Sequence, residues 1–169
     1  MKKFFIFLAG LFFSVVPMNA QKVGYINSET ILGKIEAYSV AQSQLKDLSE
    51  QYKTLIDNEK NKIDNAYKSY QNDRTRMTEA QKQQRENDII LMEKTMNDKQ
   101  ESYFGEDGVI SKKTDELLKP IKDKMDLAIK KVAEMNNFSI IIDVAVTSGI
   151  VYKAPSADLS QQVISQYNK

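Results

Sequence analysis

The hydrophobic and polar positions of residues 37–135 follow a helical pattern. This stretch of 99 residues contains only two glycines and one proline, and 37 of its residues are charged, 18 basic and 19 acidic. Its apolar residues recur at helical spacing but are too sparse to build a thick core. The pattern predicts long, mostly solvated helices that pack along a narrow seam.

A single helix of this length would extend ~150 Å, so a helical hairpin is favoured. The seam of the outgoing helix is predicted from three- and four-residue steps at Tyr38, Ala41, Leu45, Leu48, Tyr52 and Leu55, and then drifts to Ile56, Ile63, Tyr67, Tyr70 and Met77. Residues 71–76 are all polar, and Thr78 with Gln81 forms a capping-box pattern. These signals place the tip near residues 75–78, so that residue i faces roughly residue 155 − i on the return helix.

Three positions interrupt the helical pattern. Pro120 follows Leu118, which faces Ala37, so the predicted kink falls where the arm joins the rest of the chain. Gly105 and Gly108 each cost a helix ~1 kcal/mol relative to alanine. They are interpreted either as a hinge of the arm, or as a tolerated local break or a second turn that makes the arm irregular. Pro120 is the third hinge candidate.

The segments on either side of the arm predict a small β body. Residues 22–27 form a strand, followed by a short helix that Asn27 or Ser28 caps and Gly33 ends. Residues 138–144 form a second strand, which a turn at 147–149 pairs with a short strand at 150–152. A last helix begins after Ser156. A body this small would bury too small a hydrophobic core to be stable alone. We therefore expect further copies of the chain to complete the body. The residues predicted for the body and oligomer core are Val23, Tyr25, Ile140, Ile142, Val144 and Val151.

The first twenty residues have the pattern of a secretory signal peptide. Lys2 and Lys3 precede an apolar run at 4–16, and the small residue Ala20 ends the segment, which predicts cleavage after Ala20. An uncleaved anchor is less favoured, because a span needs ~20 apolar residues. The predicted divisions are the signal at 1–20, the body at 21–36 and 136–169, and the arm at 37–135.

Charge and composition exclude several functions. Without Lys2 and Lys3 the chain carries 22 basic and 23 acidic residues, which argues against a nucleic-acid partner. The chain has no cysteine, histidine or tryptophan, so disulfides and thiolate or histidine chemistry are absent. Asp143 stands alone and suits a turn or a cap better than catalysis. We therefore expect no enzyme, cofactor or metal site.

Several short motifs, in this order and spacing, resemble one family. They lie at residues 22–28, 77–79, 118–121, 128–133, 137–143, 151–152 and 155–159. With them the chain resembles the Skp, or OmpH-like, family of periplasmic chaperones over nearly its whole length after the signal. The near-neutral charge departs from the strongly basic best-known members of this family.

The resemblance implies a mainly α, α+β fold, in which a long antiparallel helical hairpin projects from a small β body completed by trimerisation. It also implies an ATP-independent holdase, whose arms enclose unfolded outer-membrane β-barrel proteins and prevent their aggregation. The alternative is a structural or adaptor coiled coil of the cell envelope.

Two sets of arm residues are candidate contact sites. The client-binding candidates are Ile89, Ile90, Leu91, Met92, Tyr67 and Tyr70, although tyrosines on the outgoing helix also suit the seam. The basic cluster of the tip consists of Arg74, Arg76 and Arg85. This cluster predicts either weak contact with anionic lipid or client, or a solvated hairpin end. The second is favoured, because acidic residues are interspersed.

Overall fold

The structure is a computed structural model that describes residues 21–169. The predicted signal peptide, at residues 1–20, lies outside the described residues. The strands are β1 (Val23–Ile26) and β2 (Ile140–Asp143), and the α-helices are α1 (Ser28–Leu32), α2 (Glu36–Asp73), α3 (Glu79–Phe104), α4 (Val109–Met135) and α5 (Ser160–Tyr167). Short 3-10 turns lie at Arg74–Arg76 and Pro155–Ala157.

The long helices form the predicted hairpin arm. Helix α2 runs outward, a 3-10 turn reverses the chain, and α3 and α4 return to the body. The capping box is present, since the Gln81 amide donates to Thr78 Oγ1 at 3.3 Å and the Thr78 amide donates to Gln81 Oε1 at 2.9 Å. These bonds satisfy amides that a helix start leaves unpaired. The mainly helical fold and the tip position are confirmed.

Contacts across the arm agree with the predicted pairing of its two sides. The rings of Tyr52 and Tyr103 stack with centroids 4.2 Å apart, and Lys99 Nζ lies 2.8 Å from Glu59 Oε1. The predicted drift of the seam to Ile56 and Ile63 is present, because both are buried. Leu55 and Tyr67 were also predicted for the seam, but both are about half exposed and lie outside it.

The base of the arm brings Pro120 close to the start of α2. Pro120 lies inside the continuous helix α4, and a groove beside it is lined by Ala37 from the start of α2 and by Leu117. Gly105 ends α3 and Gly108 precedes α4, so the return side of the arm is broken between these two residues.

The two strands pair in parallel, with Val23 opposite Ile140 and Ile26 opposite Asp143. The chain enters β2 through a Schellman turn at the end of α4. There Asn137 takes a left-handed φ of 56°, and the Phe138 amide donates to the Ala133 carbonyl at 2.9 Å.

The predicted hairpin between residues 138–144 and 150–152 is wrong. Strand β2 pairs with β1, and residues 150–152 form no strand. The local turn and the β-branched residues suggested a neighbouring partner, but the arm returns the chain to β1, whose backbone groups are free to pair. Val151 is fully exposed and Tyr152 is 82% exposed, so the rest of the chain covers little of either side chain.

The core lies between β1, α1, α4 and α5. Its eleven buried residues are Ile26, Ile31, Ile35, Ala41, Ile121, Met125, Ala128, Val132, Leu159, Val163 and Tyr167. Of the six residues predicted for the body and oligomer core, Tyr25 is buried in the single chain, Ile142 and Val144 are partly buried, and Val23, Ile140 and Val151 are exposed. Their place in an oligomer stays a prediction.

Candidate interaction surface of the arm

Part of the predicted contact set belongs to the inside of the hairpin. Ile89 and Tyr70 are buried with Ile63, and Met92 packs against them. The Tyr70 hydroxyl donates to Glu86, and this bond raises the pKa of Tyr70 above its ordinary value. These side chains already have partners within the arm, so they hold its two sides together.

The other predicted residues point away from the seam. Ile90 is 61% exposed, Leu91 is 63% exposed and Tyr67 is 51% exposed. The sequence expectation that part of the 89–92 run faces away from the partner helix is therefore confirmed. Exposed aliphatic and aromatic side chains this far from the body stabilise the fold little, and such patches mark contact surfaces.

One ion pair establishes which exposed residues share a side of the arm. On α2, Tyr67 follows the seam residue Ile63 by four positions and Glu59 precedes it by four, which puts them about 40° to opposite sides of the seam. On α3, Ile90 and Lys99 also lie on opposite sides of Ile89, at about +100° and −80°.

Since Lys99 contacts Glu59, these two residues define one side, which we call the tied flank. Tyr67 and Ile90 share the other side, which we call the open flank.

The open flank carries a shallow groove of about 200 Å³. Its lining is Lys60, Ile63, Asp64, Glu93, Met96 and Asn97. Phe104 lies on this flank as well, two seven-residue steps after Ile90, and is 42% exposed. Phe104 was not among the residues predicted from the sequence, although its spacing of two seven-residue steps from Ile90 was a usable signal.

The tied flank is held by polar contacts. Glu59 accepts hydrogen bonds from Lys99 at 2.8 Å and from Lys62 at 3.4 Å. The bond from Lys99 is the main reason that the pKa of Glu59 is lowered, and the same bond raises the pKa of Lys99. This flank therefore fixes the register of the hairpin.

The tip arginines do not form a single cationic patch. Arg76 pairs with Asp73. The hydrogen bond from Lys82 is the main reason that the pKa of Glu79 is lowered, and the charge of Arg74 adds to this shift. Arg85 is exposed on α3. The acidic neighbours agree with a solvated hairpin end.

The body presents a second exposed apolar surface beside its sheet. The Leu159 amide donates to the Tyr25 carbonyl at 2.9 Å, so β1 is partly covered on the side away from β2. Next to the sheet, Val146 in the turn after β2 is 80% exposed, and Val151 and Tyr152 are exposed further along the chain. Exposed strand edges with apolar neighbours favour pairing with another chain.

Asp143 has the structural role expected of it. Its Oδ1 accepts from the Ser28 amide at 3.1 Å and from the Ala145 amide at 3.0 Å. Burial acts to raise the pKa of Asp143, but these hydrogen bonds outweigh it and the pKa is lowered. The carboxylate therefore ties the end of β2 to the start of α1.

Within residues 21–169, acidic residues form no group of three or more that would hold a metal ion. None of the helices in the same range combines the length and the apolar character needed to cross a membrane.

Comparison with known proteins identifies the family. Residues 22–167 match the family model described as "Outer membrane protein (OmpH-like)". The fold matches a crystal structure of a candidate outer membrane chaperone (OmpH-like) from Caulobacter crescentus CB15, with a TM-score of 0.68 at 15% identity over 88% of this chain and 85% of that one. No curated protein sequence matches the chain. The family is periplasmic and consists of chaperones, not enzymes. The chain belongs to the OmpH-like (Skp) family.

Proposed function

We propose that the protein is an ATP-independent periplasmic holdase that binds unfolded outer-membrane β-barrel proteins between its arms. The observation that carries the proposal is the open flank, where Tyr67, Ile90 and Phe104 stay exposed on a hairpin whose seam is already filled by other residues. Membership of the OmpH-like family supports the same function.

The chemistry of the open flank suits such a client. An unfolded β-barrel chain exposes apolar side chains at every second residue, together with unpaired backbone groups. Ile90 and Phe104 are fourteen residues apart on the arm, which is ~21 Å along a helix and matches about six residues of extended chain. Each contact is weak, but several arms acting together give a long-lived complex by multivalency.

We propose further that the protein is a homotrimer, in which neighbouring copies complete the body. This is supported by the exposed Val151 and Tyr152 and by the half-exposed Val23 and Ile140, because one chain leaves much of their apolar surface uncovered. Segment 150–152 would then pair with a sheet of the next copy. Light scattering tests the assembly: a mass of three chains is expected, and a monodisperse monomer at micromolar concentration contradicts it.

The proposed location follows from the family and from residues 1–20. We propose that the chain is exported and cleaved after Ala20, which leaves Gln21 as the first residue, two positions before β1. Intact mass measurement of protein from the periplasmic fraction tests the site, since each alternative site gives a different mass.

An aggregation assay tests the holdase function. A urea-unfolded outer-membrane β-barrel protein is diluted into buffer with the purified protein, and turbidity is recorded. We expect full suppression near one trimer per client. The double variant Tyr67→Ser/Ile90→Ser should lose most of this suppression.

The matched control for this assay is Leu55→Ser, which removes a side chain 49% exposed on the tied flank. It should suppress turbidity like the unaltered protein. If the client precipitates as it does alone even with the unaltered protein, the adaptor alternative is favoured and the holdase proposal fails.

A further inference from the structure

The break between α3 and α4 is a hydrogen-bonded turn. The Gly105 amide donates to the Glu101 carbonyl at 2.8 Å, and the Gly108 amide donates to the Gly105 carbonyl at 2.9 Å. The Lys112 amide then donates to the Gly108 carbonyl at 3.1 Å and starts α4. Backbone bonds therefore continue across the break, as they do in a defined turn.

Glycine is needed at both positions because a side chain would not fit there, and not because the backbone takes a conformation that only glycine favours. Gly105 and Gly108 have φ of −63° and −73°, in a region that every residue adopts. A Cβ at Gly105 would lie 2.5 Å from the Glu101 carbonyl oxygen. A Cβ at Gly108 would lie 2.9 Å from the carbonyl groups of Gly105 and Tyr103. The carbonyl groups are backbone and cannot move aside, whereas the Glu101 carboxylate, which also lies against a Cβ at Gly105, is a side-chain end that can move.

Helix α2 spans the break on the other side of the arm. It is continuous over Glu36–Asp73, and both α3 and α4 pack against it. Tyr103 links the turn to this helix, since its carbonyl lies against Gly108 while its ring stacks on Tyr52. One helical turn before Tyr103 on α3, Lys99 pairs with Glu59 of α2. Bending at the break would require either that α2 bends as well or that α3 separates from α2, which would break both contacts.

We infer that the turn at residues 105–108 is a locked joint that fixes the orientation of the outer arm relative to the body. Three features hold the orientation: the close backbone packing at the two glycines, the Tyr52–Tyr103 stack and the continuous helix α2. The consequence for clients, a fixed direction of the open flank, rests on the proposed function. The locked joint itself does not.

Alanine substitution distinguishes a locked joint from a hinge, because the two predict opposite changes in the rate of amide exchange near the break. In a hinge, Gly105→Ala and Gly108→Ala favour helix and slow amide exchange near the break. In a locked joint, the added Cβ is forced against backbone, and amide exchange in residues 99–113 rises about tenfold. Glu106→Ala, at an exposed position of the same turn, is the control and should leave exchange unchanged. Slower or unchanged exchange in the glycine variants overturns the inference.

A distance measurement tests the joint without altering the glycines. The chain has no native cysteine, so Lys68→Cys and Lys112→Cys place spin labels at exposed sites on either side of the joint. Labelled chain is diluted with unlabelled chain to isolate distances within one arm. We expect a single distribution as narrow as that of the control pair Lys112→Cys/Lys130→Cys within α4. A broad or bimodal distribution overturns the inference, whether or not the protein suppresses aggregation.

Discussion

The body and the outer arm differ in how much apolar surface they bury. The core of the body and arm base contains eleven buried residues, and Ile31, Leu159 and Val163 are almost completely enclosed. The outer arm, on the tip side of residues 105–108, has four buried apolar residues, Ile56, Ile63, Tyr70 and Ile89, and each keeps 4–9% of its surface exposed. The body therefore depends on apolar burial, whereas the outer arm has little of it and leaves apolar side chains exposed.

The contrast shows how a thin hairpin with a small core can still adopt one defined register. Its tip is fixed by the capping box at Thr78 and Gln81, and its register is fixed by Glu59 with Lys99 and by Tyr70 with Glu86. Polar contacts set the geometry, so the apolar residues of the open flank are not needed for packing. A surface freed in this way is available to a client.

Truncating one core residue in each region should give the largest effect. Ile31→Ala should lower the free energy of unfolding by about 2–5 kcal/mol, because it leaves a cavity in an enclosed core. Ile63→Ala in the arm should cost about 1–2 kcal/mol, because its surroundings are open to water and can relax. Urea unfolding followed by circular dichroism measures both. Equal losses would contradict the contrast between the regions.

Acid should weaken the outer arm through Glu59. A lowered folded pKa means that the stabilisation is present above the unfolded value of about 4.3 and is lost as pH falls through the folded value. The raised pKa of Lys99 means that its share is lost only as pH rises above about 10.4. The tie is therefore intact from about pH 5 to 10.

The comparison of unaltered protein with Glu59→Gln isolates this tie from the other carboxylates. Amide exchange in α3 should be slower in the unaltered protein at pH 7, and the difference between the two proteins should disappear as the pH falls through the lowered folded pKa of Glu59. A difference that persists at low pH would show that the ion pair is not its source.

The smallest effect is expected at the tip. Because acidic neighbours already surround Arg74 and Arg76, the triple change Arg74→Glu/Arg76→Glu/Arg85→Glu should alter binding to anionic vesicles less than twofold, by about 0.4 kcal/mol. Vesicle co-sedimentation at low salt measures it. A loss of most vesicle binding would establish the lipid-contact alternative for this cluster.

Features set by local sequence were predictable, and those set by distant partners were not. The tip follows from Thr78 and Gln81, three residues apart, and the start of α1 follows from Asn27, whose Oδ1 accepts from the Thr30 amide at 2.9 Å. The parallel pairing of Val23 with Ile140 joins residues far apart in sequence, and a local turn signal at 147–149 favoured another partner. The open flank needed the Glu59–Lys99 contact, because helical spacing alone does not tell which sides of two helices coincide.

Crosslinking to a client tests the central claim most directly. A photoreactive amino acid is placed at Ile90 on the open flank or at Thr95, which is exposed on the tied flank, and each protein is mixed with an unfolded outer-membrane β-barrel protein. The proposed function predicts that Ile90 crosslinks the client at least about tenfold more than Thr95, with competition by unlabelled client. Equal crosslinking at the two positions, or none at Ile90, would contradict it.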